Sequence, residues 1–413
     1  MAGEKKRLLE NFLSLGALQI ISYVIPLITL PYLARVLSVG NFGLVFFAFA
    51  FMQYFIILTD YGFGLSATRE IAVNRHNKNN ISNIFNSVTC IKALLLLVSF
   101  FTLLVSICFI PKLRTDWIVF ILSFFMVVGN AIYPVWFFQG MERMKYITFL
   151  NILSKMIFLV LIFVFVKKDS DYVIVPLLNS LGFLVSGIIG FWFAVKNFNI
   201  KLYIPKRASL AKQFKYSSEF FLSRVSVAAY TNTNTFCLGL IGSNIMVGYY
   251  VAAEKIYNAL NGVQLPLNQA IYPYVAKNRD INLYKKLFYI AIAINCCVST
   301  IVWFFAKEII TVFYGVNMLE AYKVLRILVI VVLMTFPSML LGYPFLGALG
   351  HTKEANNSVI IGSVVHIAGL LTLFLTKHMN IYSIAYMVLI TESIVLLIRL
   401  YSIKKYNLWR VNK

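Results

Sequence analysis

Apolar blocks of bilayer length recur along the whole chain, and they leave it few ways to fold. A helix needs about 20 apolar residues to cross the hydrocarbon core, and at that length the sequence sorts into about twelve spans. No stretch between the blocks is long enough for a soluble domain. Charged residues make up 13% of the chain, where a soluble domain carries about 25%. The mean hydropathy of +0.81 agrees. The chain is therefore predicted to be an all-α polytopic membrane protein with about twelve transmembrane helices.

A net charge of +22 would suit a nucleic-acid binder, but its placement argues against one. Of the 37 Lys and Arg, 24 fall at the termini and in loops on one side of the spans, 8 on the other, and 5 within spans. This asymmetry is the positive-inside pattern and puts both termini in the cytoplasm. Attraction to anionic headgroups covers most of the remaining basic charge, so no nucleic acid is expected as a partner. The basic start, Lys5 to Arg7, precedes an apolar run that is too long for a signal peptide and contains Pro26 and Pro31. The five cysteines are scattered through apolar spans, and the four histidines do not cluster. No metal or cofactor is expected. His366, within a span, reads as a packing or hydrogen-bonded group.

The span over residues 247–271 breaks the apolar pattern. Glu254, Asn258, Asn261 and Asn268 share one face at helical spacing, with Lys255 beside them. The preceding span, over 218–241, holds Glu219, Arg224, Thr231, Asn232 and Asn234. Such polar stripes avoid lipid and face either other helices or a hydrated cavity. Three Asn, a Glu and a Lys in one span favour the cavity.

The two halves repeat. Tyr133 to Gly140 reads YPVWFFQG and Tyr343 to Gly350 reads YPFLGALG. Each places Tyr-Pro ahead of Gly just before a cytoplasmic loop. The hairpin sequences SVGNFG (Ser38 to Gly43) and SNIMVG (Ser243 to Gly248) also match loosely. The predicted organisation is an N-terminal six-helix lobe over 1–195, a basic cytoplasmic linker over 196–217 and a C-terminal six-helix lobe over 218–413. An even number of spans makes the lobes parallel repeats around a central cavity, the arrangement of alternating-access transporters.

Five segments are more specific. PYLARVLSVGNFG (Pro31 to Gly43), DYGFGLSATREIA (Asp60 to Ala72), PVWFFQGMERM (Pro134 to Met144), VGYYVAAEKI (Val247 to Ile256) and PLNQAIYPYVAK (Pro266 to Lys277) resemble the lipid-linked oligosaccharide flippases. These are the Wzx-type O-antigen translocases of the multidrug, oligosaccharidyl-lipid and polysaccharide exporter superfamily. The resemblance implies two six-helix lobes around a cavity. It also implies translocation of an undecaprenyl-pyrophosphate-linked oligosaccharide across the bacterial cytoplasmic membrane, from its inner to its outer leaflet. Membrane lipid, an O-antigen polymerase and a chain-length regulator are the partners expected from it, with a proton or sodium ion as coupling ion.

The cargo's charges must cross a low dielectric, and fixed cations lower that barrier. Arg224 and Lys255 are the first candidates, because their spans carry the polar stripes. Arg326 and Lys92 lie nearer span ends, where long side chains also snorkel to headgroups. Lys155 is deeper among apolar neighbours, where a cavity wall or a helix pair would serve equally. Arg35, in the PYLAR motif, is expected at the outer rim. Asn258, Asn261, Asn268 and Thr231 can hydrogen-bond sugar hydroxyls. Asp60, Glu254, Glu219 and Glu392 are candidates for ion coupling, with a static ion pair as the alternative.

Two other functions compete. A small-molecule or multidrug antiporter of the same superfamily would favour an acidic cavity for a cationic drug. A membrane O-antigen polymerase or ligase would favour a sizeable outer loop, and every outer loop here is short. No nucleophile-base set or Walker motif appears, so a transporter rather than an enzyme is expected.

Overall fold

A computed structural model of the chain describes residues 24–409 except 232 and 263. The side chains of 222–224, 226–231, 265, 266, 269, 270 and 273 also lie outside the described residues. Among the described residues the structure is helical, without strands. The chain forms two compact units, Met1–Ala228 and Ala229–Lys413.

The first unit begins with α1 (Val24–Val36) and α2 (Val39–Asp60). Ser38 caps α2 by accepting from the Asn41 amide at 3.3 Å, and Asp169 accepts from the Ser38 amide at 2.7 Å and the Asn41 side chain at 2.9 Å. The α2 helix stops where Tyr61 and Gly62 turn left-handed, at φ 44° and 77°. A Cβ on Gly62 would also lie 2.8 Å from the Phe221 backbone nitrogen, so glycine is required there twice over. The chain resumes as α3 (Phe63–Val73), then α4 (Lys78–Phe109) and the short α5 (Pro111–Thr115).

The α6 helix (Trp117–Ile132) ends before Pro134 and continues as α7 (Val135–Gly140), followed by α8 (Met144–Phe165) and α9 (Val175–Asn197). Helices α6 and α9 meet backbone to backbone: a Cβ on Gly187 would sit 2.5 Å from the Gly129 carbonyl oxygen. Small residues permit this approach between membrane helices. An aromatic cluster of Phe85, Trp136, Phe137 and Phe138 packs around the Tyr-Pro break. Within the basic stretch over 196–217, α10 (Arg207–Thr231) begins. It docks on α3 through a 2.7 Å hydrogen bond between the Ser66 and Ser217 hydroxyls and through stacking of Tyr61 on Phe214 and Phe221.

The second unit repeats this order. After α11 (Thr233–Ile241), α12 (Asn244–Gly262) and α13 (Gln264–Asn278) parallel α2 and α3. Then α14 (Ile281–Phe304), α15 (Ala306–Tyr314) and α16 (Ala321–Leu340) parallel α4 to α6. The second Tyr-Pro motif lies in a kinked π-helical segment, Leu341–Gly347, and α17 (Thr352–Leu375) and α18 (Ile381–Lys405) complete the repeat. Pro344 has no N–H to give to the Leu340 carbonyl. The Tyr284 hydroxyl, 2.9 Å away, donates to it instead. Tyr284 also stacks on Phe345 within an aromatic cluster that includes Phe288 and Trp409.

Among the described residues, nine helical segments are long and apolar enough to cross a membrane. Spans seven and eight of the predicted twelve, which contain residues outside the described set, are not among the nine. Span one falls partly in residues outside the described set. The outward faces of α4 and α17 are apolar, with Leu97, Phe101, Val364 and Leu371 exposed as lipid-facing residues are. The protein is a multi-pass membrane protein.

Candidate functional site

Two helices of the second unit, α12 and α18, each contribute a stripe to one polar cluster. On α12, Tyr250, Glu254, Tyr257, Asn258 and Asn261 recur at steps of three and four, so one face carries all five. On α18 the same rule aligns Val388, Glu392, Val395 and Arg399. With Asn234 from α11, Thr335 and Ser338 from α16 and His366 from α17, these stripes enclose a cavity of about 370 Å³ within the unit.

The polar groups are ordered by hydrogen bonds. The Thr235 hydroxyl donates to the Glu254 carboxylate at 3.4 Å, and Tyr257 and Thr335 join hydroxyl to hydroxyl at 3.3 Å. His366 is fully buried. The Thr391 hydroxyl donates to the Met387 carbonyl at 2.8 Å, which leaves its oxygen to accept from Nδ1–H of His366 at 3.0 Å. Nε2 of His366 lies 2.9 Å from the Asn234 side-chain oxygen. A rotation of the Asn234 amide matches this contact to either protonation state of the ring.

Arg399 anchors the other end. It is 7% exposed, and its Nε donates to the Ser358 hydroxyl at 2.9 Å. Its Nη1 donates to the Ser338 carbonyl and, at 3.1 Å, to the Ser338 hydroxyl. A Cβ on Gly342 would lie 2.8 Å from this Nη1, so the kinked segment makes room for the guanidinium. Glu392 lies two turns before Arg399 on the same face, is 8% exposed and senses its charge. No described residue hydrogen-bonds the Glu392 carboxylate. It faces the cavity with only its helix neighbour as a source of positive charge along the stripe.

The sequence candidates divide. Glu254, Asn258, Asn261 and Glu392 line the cavity together. Asn268, on α13, is not among the residues that line it. Its side-chain oxygen is buried without a hydrogen-bond partner among the described residues. Lys255, one residue from Glu254, turns about 100° away from the stripe. Arg326 donates to the Trp303 carbonyl at 3.2 Å and lies over the Trp303 and Tyr322 rings, at 4.7 and 5.2 Å.

In the first unit, Lys92 on α4 is 4% exposed and senses the charge of Asp60 at the end of α2. Lys155 is half-buried on α8, and Arg35 is exposed on α1. Glu219 borders a separate cleft with Arg69 and Lys212. The side chains of Arg224 and Thr231 lie outside the described residues.

Comparison with known proteins decides the family. The model of the polysaccharide biosynthesis protein family matches residues 8–279. The chain belongs to that family. Two curated relatives are each named "Putative O-antigen transporter". The Escherichia coli protein is 34% identical over 302 residues, covering 72% of this chain and 71% of the relative. The Shigella dysenteriae protein is 26% identical over 403 residues, covering 97% of this chain and all of the relative. Among solved structures, an inward-facing multidrug resistance MATE family transporter of the MOP superfamily superposes with a TM-score of 0.72. It is 16% identical, with 93% of this chain and 95% of that one covered. The lipid II flippase MurJ, in an inward closed conformation, gives 0.71 at 16% identity, over 96% and 87%. These likenesses show that the chain shares the fold of those two proteins.

Sequence reasoning missed Arg399, which falls among the 24 Lys and Arg counted at the termini and in the loops on the cytoplasmic side. It read His366 as a packing or hydrogen-bonded group. The hydrogen bonds agree, but the ring also lines the cavity. A usable signal existed: Glu392 and Arg399 are spaced to share one face of the last span.

Proposed function

We propose that this chain is a flippase that moves an undecaprenyl-pyrophosphate-linked oligosaccharide, an O-antigen repeat unit, from the cytoplasmic to the periplasmic leaflet by alternating access. The observation that carries this reading is the 34% identity over 302 residues to the Escherichia coli protein named "Putative O-antigen transporter". It acts as a transporter, not an enzyme, in the cytoplasmic (inner) membrane with both termini cytoplasmic, as the basic loops favour. The lipid-linked glycan and membrane lipid are its immediate partners, and an O-antigen polymerase and chain-length regulator act beside it.

Glu254 and Glu392 are the proposed coupling groups. Support comes from their position in one cavity and from the absence of a hydrogen bond to Glu392 among the described residues. A carboxylate in that setting can take up and release a proton or sodium ion as the cavity changes its exposure. Asn258 and Asn261 face the same space and can accept or donate to sugar hydroxyls. Arg224, Lys255 and Lys92 remain the proposed cations for the pyrophosphate.

The test uses a strain that lacks its own O-unit flippase and carries the matching O-unit synthesis genes. The wild-type chain should restore surface polysaccharide, and Glu392→Gln at equal membrane abundance should restore less. A wild-type chain that is abundant but silent with a verified O-unit would overturn the reading. The multidrug antiporter would then take its place, favoured by the fold it shares with the MATE transporter.

A further inference from the structure

A second polar space lies within the first unit, where α3 and α10 diverge. It measures about 620 Å³. Two facing stripes line it: Arg69 and Glu70 from α3, and Lys212, Lys215, Tyr216 and Glu219 from α10. The α10 residues recur at steps of three and four, so the helix turns this face to the cleft along two turns. The walls are fixed by the Ser66–Ser217 hydrogen bond and the Tyr61 stack on Phe214 and Phe221. The proposed orientation puts this cleft at the cytoplasmic face, where cargo would enter.

Its charges are not spent on one another. Among the described residues, no ion pair joins these five charged groups. Oε2 of Glu70 is buried and has no hydrogen-bond partner among the described residues, so it lacks a donor. Three cations suit a phosphate or pyrophosphate, Arg69 as a fork and the lysines as point charges. Two carboxylates would repel a bare phosphate. They suit a ligand that brings hydroxyl or amide donors next to its phosphates, which a glycosyl phosphate does and a simple phospholipid does less well.

We propose that this cleft receives the sugar-phosphate end of the lipid-linked glycan. Its phosphates pair with Arg69, Lys212 and Lys215, and its sugar donors bind Glu70 and Glu219. The proposal rests on the flippase reading and names a binding site that precedes transit. Tyr216 at the same wall offers a ring face to the sugar.

The test is binding to the full chain in phosphatidylcholine nanodiscs. The probes are farnesyl pyrophosphate, with and without a linked N-acetylglucosamine. Lys212→Gln/Lys215→Gln should weaken both probes, by about tenfold for the loss of charge-assisted contacts. Glu70→Gln should weaken only the sugar-bearing probe. Both lysines are exposed, so the double variant should keep its melting temperature, which is measured alongside.

Unchanged binding of both probes by the double lysine variant would overturn the proposal. So would a Glu70→Gln variant with unchanged preference for the sugar, together with equal competition by phosphatidylglycerol, which would assign the cleft to lipid headgroups. No binding by the wild type would overturn it as well. Restoration of surface polysaccharide by the wild type is read separately. Success there with unchanged probe binding by the variants removes the cleft and leaves the flippase reading standing.

Discussion

Arg399→Ala should be among the most damaging single changes in the second unit. The guanidinium donates to the Ser358 hydroxyl, the Ser338 hydroxyl and the Ser338 carbonyl. Hydrogen bonds with a charged partner contribute about 1.5–3 kcal/mol each. The full sum is not lost, because water can enter from the cavity and the cost of desolvating the guanidinium disappears with it. A net loss of about 2–4 kcal/mol is expected. Part of that loss belongs to Glu392, left in the cavity without the positive charge it senses. Neutralising Glu392 in the same background should therefore recover stability. The double variant Glu392→Gln/Arg399→Ala should be less destabilised than the sum of its singles by more than about 0.5 kcal/mol. The assay is thermal unfolding of the detergent-solubilised full chain, followed by Trp fluorescence. A wild-type melting temperature for Arg399→Ala, or additivity within that margin, would refute the account.

Three further outcomes follow from particular contacts. Gly62→Ala should cost about 2 kcal/mol or more, because the new Cβ meets both a left-handed φ and the Phe221 backbone; membrane abundance and melting temperature check it. His366→Ala removes the buried ring that hydrogen-bonds Thr391 and Asn234 and should cost about 2–3 kcal/mol. His366→Gln keeps one donor and one acceptor and should fall between Ala and the wild type in the same melt. Asp116, ahead of α6, has its carboxyl raised above the ordinary value by burial, against a lowering hydrogen bond from Tyr172. The folded state then holds this proton to higher pH than the unfolded state, so stability falls as pH rises from the ordinary Asp value through the raised one. Asp116→Asn should flatten that slope in melts across acid pH, and an unchanged slope would show that another group sets it.

Part of the site is legible in the residues alone. Glu254, Asn258 and Asn261 form a stripe because helical period is a local property, and a polar stripe in a span must leave lipid. The Tyr-Pro repeat is legible for a similar reason: a missing N–H disrupts a helix wherever it falls, and both copies lie at breaks. The same period assigns Asn268 to the stripe, but Asn268 is not among the residues lining the cavity, because period puts residues on one face and does not say how far along it a cavity extends. Arg326 shows a further limit. A cation near a span end can face a cavity, headgroups or aromatic rings, and only the positions of Trp303 and Tyr322 show that it takes the rings.

Hydropathy determined that this chain is an all-helical membrane protein, and the paired Tyr-Pro and hairpin motifs determined that it is built of two repeated lobes. Both are local properties of the sequence and do not depend on which helix touches which. Tertiary structure alone decided that Arg399 turns inward. Its place at the end of the last span fits a cytoplasmic charge equally well, and the difference comes from Ser338, Ser358 and the space above Gly342, which lie 41 to 61 residues away in sequence. A buried charge is tolerated only where distant backbone and hydroxyl groups converge to solvate it, and that convergence is a property of packing.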